Sequence, residues 1–152
     1  MASCGDDDDV VIKRTTAFSE TLIDELLASL HDETFTDFKL KTGDKVMQCH
    51  RLVIAAISPV LKAMLKSQMR EATEKQIKLD NISPRVLNIL LNYMYCGEAR
   101  IPKETLKEVV EAADFLQLDE LKQMCVDQAP PIIQPDNVLG WFKLHWSPVS
   151  MF

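Results

Sequence analysis

Three histidines and four cysteines are the side chains here that could ligate a metal or act as nucleophiles, and only Cys49 and His50 stand next to each other. Zinc needs two close ligand pairs. Cys4, Cys96 and Cys125 are scattered, and no Cys-x-x-Cys occurs. The Cys49-His50 pair therefore reads as structural, and the metal expectation is none. His31 and His145 lack the neighbours that would make a nucleophile or metal site. There is no Gly-x-Ser-x-Gly elbow and no His-Glu-x-x-His, and four glycines are too few and too far apart for a phosphate loop. Acidic residues fall mostly on faces expected to be solvated. These residue types predict no enzyme and no cofactor. Two groupings remain that could recognise a partner: Asp37 and Arg51 on either side of an expected hairpin, and Met69-Arg70-Glu71 after the densest apolar run. If Asp37 and Arg51 meet inside the fold they must pair, because an unpaired buried charge is costly.

The composition narrows the partner classes. At 152 residues, 47% hydrophobic and 26% charged, the chain has the make-up of one soluble globular domain, which typically buries about 68–70% of its unfolded surface. Net charge is -6 and no basic stripe is interleaved with aromatics, so nucleic acid is a poor partner. No apolar run approaches the roughly 18 residues of a membrane span. No signal peptide precedes the spread cysteines, so they are expected to be reduced thiols in a cytoplasmic, and also nuclear, protein.

The elements that must position these groups can be read from spacing. Residues 1–9 carry four consecutive aspartates and are expected to form a solvated, disordered tail. Val10 to Ile12 form a β-branched segment suited to an edge strand. Phe18, Leu22, Leu26, Leu27 and Leu30 recur at helical spacing over 17–30, with Thr16 or Ser19 as cap. That face packs either on its own core or on a second copy of the chain. Thr36 to Leu40 and Lys45 to Cys49 predict a hairpin about Thr42-Gly43-Asp44. The run HRLVIAAISPVLKAMLKSQMRE over 50–71 predicts two short helices broken at Ser58-Pro59. The first should be buried on nearly all sides; the second has a stripe at Val60, Leu61, Met64 and Leu65. Gln76 to Leu79 predicts a third strand. Ser83-Pro84 starts a helix carrying Leu87, Leu90, Leu91 and Met94, ended by Gly97. Ala99 to Pro102 predicts an edge strand. Glu104 to Leu118 predicts a helix facing Leu106, Val109, Val110, Ala113 and Leu116 inward, and Asp119 caps another with Leu121, Met124 and Cys125. Asp136 could cap a last helix, Val138 to Leu144. Because strands and helices do not alternate strictly, the fold class expected is mixed α+β.

Phe35-Thr36-Asp37-Phe38, Cys49-His50-Arg51, Val53 to Pro59 and Met69-Arg70-Glu71 together resemble the BTB/POZ domain. In its kelch-like branch these segments read approximately F-x-D-V, A-H-R-x-V-L-A-A-x-S-P-Y-F and M-x-E-S. Leu90 to Gly97 (LLNYMYCG) is similar to L-L-x-F-I-Y-T-G, and Ala112 to Gln117 resembles A-A-x-L-L-Q. The likeness runs from about Ala17 to Gly140 with the motifs in order.

The resemblance implies a BTB/POZ fold, a small mixed sheet flanked by a cluster of helices, with a short C-terminal helical extension. It divides the chain into an acidic tail (1–9), the BTB/POZ domain (10–129), the start of the post-BTB helical segment (130–144) and a divergent tail (145–152). It implies a homodimer through the helix at 17–30, with an N-terminal strand exchanged between protomers. Val11, Phe18, Leu22 and Leu26 would lie in that interface, and Asp37 and Arg51 match the charged pair of the dimer groove. It also implies docking of the third cullin, the scaffold of a ubiquitin ligase, through Met69 and Glu71, with Leu65 and Tyr95 beside them. Gln134 to Gly140 resembles the start of the segment that enlarges this contact, but WFKLHWSPVSMF then departs from the family pattern. Kelch repeats need several units of about 50 residues each. The expectation is a BTB-only or truncated kelch-like form that dimerises with itself or full-length relatives and acts as a competitor or modulator. The alternative from another class is a dimer whose groove recruits a transcriptional corepressor; a tetrameric channel-type domain is a more remote third. Some members sense redox state through cysteines, but no basic residues crowd the thiols here, so burial is expected instead.

Overall fold

The computed structural model describes residues 10–68 and 75–128. Helix α1 spans Thr16–His31, followed by strands β1 (Phe38–Thr42) and β2 (Lys45–Cys49). Two helices meet end to end, α2 (Arg51–Ile57) and α3 (Pro59–Gln68), before strand β3 (Gln76–Lys78). Helix α4 (Pro84–Cys96), a 3-10 turn (Lys103–Thr105), α5 (Leu106–Phe115) and α6 (Asp119–Gln128) complete the described chain. The expected α+β class holds.

The sheet is mixed, in the order β2-β1-β3. β1 pairs antiparallel with β2 and parallel with β3. Thr42 lies opposite Lys45, leaving Gly43-Asp44 as a two-residue turn. Gly43 has φ +55, a left-handed conformation that glycine adopts without strain. β1 begins at Phe38, two residues later than expected, because Phe35 has φ +57 and Thr36 turns its hydroxyl to Glu33 O and Gln48 Oε1. From Phe38 onward the strand alternates as a half-buried strand should, with Phe38, Leu40 and Thr42 inward. Thr42 is polar, and its hydroxyl is satisfied by donating to Ile82 O.

The core gathers Leu40, Ile54, Leu61, Leu79, Leu87, Leu90, Val109, Val110 and Leu116, all fully buried. The inward faces expected for α4 and α5 are thus the faces that pack. Ser83 caps α4 by accepting from Val86 N, with Pro84 in the first turn where its missing donor goes unneeded. Gly97 closes it at φ +76. α5 ends in the same style without glycine. Gln117 takes φ +55, its N–H donates to Asp114 O, and Leu118 N donates to Ala113 O. Asp114 then accepts from Lys122 Nζ at 2.6 Å, tying α5 to α6.

Several expectations fail against the structure. α1 is capped by Thr15, whose hydroxyl accepts from Phe18 N, rather than by Thr16 or Ser19. Val10 to Ile12 take no part in the β2-β1-β3 sheet of the described residues and are exposed, so a strand formed there has its partner outside that sheet. Ala99 to Pro102 is no strand either. Pro102 has no N–H to donate to a ladder, and its carbonyl instead takes both Thr105 N and Thr105 Oγ1 at 2.9 Å, starting the 3-10 turn. α2 is buried only at Ile54, because its one packed side faces α3 and α4 while Leu52 and Ile57 point away. In α6, Leu121 and Cys125 are buried but Met124 is not. The last expected helix, Val138 to Leu144, lies outside the described residues, as do the acidic tail and residues 69–74.

Candidate interaction surface

Helix α1 has no buried residue. Leu26, Leu27 and Leu30 rest partly on the core, against α4, and His31 Nε2 lies 3.3 Å from Asn92 Oδ1. One turn and more toward the N-terminus, Phe18 is 58% exposed and Leu22 50% exposed. Val10, Val11 and Ile12 lead into this face at 76–89% exposure. A half-buried amphipathic helix preceded by three exposed β-branched residues is an incomplete packing arrangement, and contiguous apolar surface of this kind marks interaction sites. Of the four residues predicted for this contact, Val11, Phe18 and Leu22 are free to meet a partner, while Leu26 is half spent on the chain's own core.

Beside the sheet, a second group is built from the turn after α1. Thr34 N donates to Ser29 O and Glu33, at φ +53, donates to Leu30 O, so the turn closes α1 and sends the chain back. His50 then clamps it. Its Nε2 lies 2.8 Å from Thr34 O, a carbonyl that can only accept, so Nε2 carries the proton. Nδ1, 2.6 Å from Tyr95 Oη, then accepts from the Tyr95 hydroxyl, whose oxygen in turn accepts from His50 N at 2.8 Å. This closed set links the turn, the start of α2 and the buried end of α4. Burial pushes the Tyr95 phenol up to about 12, against the lowering effect of that backbone N–H. Phe35, held outside at 91% exposure, and Leu52, at 80%, sit on the two segments so clamped.

Asp37 and Arg51 are brought together, but not as the expected ion pair. Asp37 Oδ1 accepts from the backbone N of Arg51 at 2.7 Å, capping the first turn of α2, where His50 at the cap position provides no side-chain bond. The Arg51 guanidinium stacks on Phe38, with its carbon 5.3 Å from the ring centroid, and its Nε is buried with no hydrogen-bond partner. Sequence spacing could not distinguish a carboxylate serving a backbone amide from one serving a guanidinium.

Of the four residues expected to dock a scaffold, Met69 and Glu71 lie outside the described residues. Leu65 and Tyr95 are buried, and so act as support beneath the surface rather than as area offered to a partner. Ser58 does similar work at the α2–α3 junction. Its hydroxyl donates to Leu116 O at 2.8 Å and accepts from Leu61 N at 3.2 Å. Among the described residues no cluster of His, Cys, Asp or Glu could hold a metal ion. Cys49 is buried, and that burial, with Asp37 nearby, pushes its thiol up to about 12. Burial alone takes Cys125 to about 11. The described helices include none long and apolar enough to cross a membrane.

The described fold is a mixed three-stranded sheet with a cluster of helices and an exposed apolar face on α1. The chain belongs to the BTB/POZ domain family, whose pattern matches residues 26–131. It is 34% identical over 127 residues to human Kelch-like protein 38 and 30% identical over 128 residues to human Kelch-like protein 41. These matches cover 84% of this chain but only 22% and 21% of those proteins, so it spans about a fifth of the relatives it resembles. The BTB domain of human gigaxonin superposes with a TM-score of 0.70 at 26% identity, over 79% of this chain and 98% of that one. The BTB domain of zebrafish PATZ1 gives the same TM-score at 22% identity, over 78% and 97%, a likeness of fold.

Proposed function

We propose that this domain forms a homodimer through α1 and the Val10–Ile12 segment, and that the dimer docks the third cullin through Met69 and Glu71. The observation that carries the dimer is the half-exposed Phe18–Leu22 face on a helix with no buried residue. A two-fold contact would place the same face of each copy against the other, burying both at once. A strand contributed by residues 10–12 would find its ladder partner in the second chain, which would remove an exposed edge. The cullin reading is supported by the kelch-like relatives and by the Met-x-Glu spacing after α3. A flexible thioether can fill an irregular apolar hole while the carboxylate fixes orientation.

This span would supply the cullin-docking end of such an assembly, and the same α1 face would allow mixed dimers with kelch-like relatives. Cytoplasmic and nuclear action fit that role. The test is titration of the purified chain with the cullin amino-terminal domain, beside Met69→Ala, Glu71→Ala and Phe18→Asp/Leu22→Asp. The expected result is binding weakened by the first two and a monomer from the last. No cullin binding by an intact dimer overturns the docking reading and directs the search to corepressor peptides.

A further inference from the structure

The sheet carries lysines on the side that faces away from the core. With Phe38, Leu40 and Thr42 inward, Lys39 and Lys41 of β1 point outward. The register sets Lys39 beside Gln48 of β2 and Gln76 of β3, and Lys41 beside Val46 and Lys78. Two rungs therefore cross the outer face, Gln48-Lys39-Gln76 and Val46-Lys41-Lys78, and exposed Lys75 stands just before β3. Like charges directly opposite each other, as Lys41 and Lys78 are, weaken a strand pair. Among the described residues the ion pairs lie elsewhere, at Arg85–Glu104, Lys107–Glu111 and Lys122–Asp114. An open hollow of about 390 Å³ is lined by Lys39, Gln48, Lys75 and Gln76, and Asp37, the acid in that lining, is engaged by Arg51 N. On a chain of net charge -6 this is a basic face.

The same sheet ends in an unpaired edge. Lys39 N donates to Lys75 O and Leu79 N donates to Lys41 O, so the odd-numbered residues of β1 spend their backbone on β3 and the even-numbered ones on β2. Alternation along β2 then turns the N–H and C=O of Val46 and Gln48 outward, where no described backbone group meets them. We propose that this edge and the lysine face beside it form a docking site for an acidic peptide in extended conformation, paired along β2. Its alternate side chains fall on the outer face about 6.6 Å apart, the spacing of Lys39 from Lys41 along β1. Two strand spacings, about 9.5 Å, separate the added strand from β1, a gap that a glutamate and a lysine span together. Main-chain bonds give such strand addition its affinity, and charge gives it its choice of partner. Nucleic acid fits less well, because the two rungs hold no arginine and no aromatic ring, and the free groups of the edge are peptide groups. Val10 to Ile12 carry no acid to answer the lysines.

The experiment titrates the full chain against a fluorescein-labelled peptide of alternating Glu and Thr, read by anisotropy. The expected result is saturable binding that weakens as salt is raised. Lys39→Glu/Lys78→Glu, at two exposed positions, should weaken it by about tenfold or more. Val46→Pro removes an outward N–H, which an edge strand tolerates, and should weaken binding several-fold with every lysine in place. A peptide of alternating Lys and Thr should not bind. No saturable binding, or binding indifferent to the lysine reversals or to Val46→Pro, overturns the proposal. An oligothymidylate that competes as well as the peptide overturns it in favour of a general polyanion surface. Binding that appears only when Asp6 to Asp9 are all replaced by Asn overturns it in favour of the chain's own acidic stretch as occupant. Phe18→Asp/Leu22→Asp should bind the peptide as the parent does, so the dimer reading can fail without this one. Binding gained only in that variant overturns the proposal in favour of a second copy on the edge.

Discussion

Ser58 shows how much one hydroxyl can hold. It is fully buried, caps α3 through Leu61 N and satisfies Leu116 O at the end of α5. Ser58→Ala leaves both partners buried and unpaired, which should cost about 1–3 kcal/mol in a denaturant titration. The cysteines make a second residue-scale case. Cys49 is held as a thiol in the folded state up to about pH 12, against an ordinary value of 9.0. The unfolded chain releases this proton first as pH rises, so between about pH 9 and 12 the folded state binds more protons. Stability contributed by the neutral thiol is whole below that window and is lost on climbing through it. A stability–pH profile of the protein should therefore decline through this range, and Cys49→Ala should flatten part of the decline. Sequence alone does not point to burial of Cys49, which His50 and Arg51 follow directly. It does not reveal the partner, since the thiol's contact with Phe38 O, 3.7 Å away, joins two strands.

Helices and turns are legible where the signal is local. Ser83-Pro84 and Gly97 bracket α4 because a cap, a missing donor and a left-handed residue each act on their own backbone. Nothing lies within 4 Å of a Cβ placed on Gly97, so Gly97→Ala has only the backbone conformation to contend with. It should lower stability by about 1 kcal/mol, read from the thermal midpoint. Ala99 to Pro102 misleads because β propensity says nothing about where a ladder partner lies. α2 misleads for a related reason. Seven apolar-rich residues look buried on all sides in sequence, yet a helix this short meets neighbours on one side only, and Leu52 and Ile57 are left over.

For the whole molecule, the unfinished face of α1 has a thermodynamic consequence. If two copies cover it, folding and association are coupled, and the thermal midpoint should rise with protein concentration. The Phe18→Asp/Leu22→Asp variant should lose that dependence while keeping its helical signal, because neither side chain is part of the core. A midpoint independent of concentration in the parent chain, together with a monomer mass, would remove the dimer.

Composition, the spacing of caps and prolines, and the periodicity of α4 and α5 determined a mixed α+β domain by themselves, and the order of its motifs carried the resemblance to the BTB/POZ family. Those signals act within a few residues, and binary patterning needs no partner to be read. The tertiary structure alone decided which apolar residues stay uncovered, that Asp37 serves the Arg51 amide while the guanidinium lies on Phe38, and that His50 is locked by Thr34 and Tyr95. Each depends on segments far apart in the chain arriving at one place, and distance in space is a property that spacing in sequence does not carry.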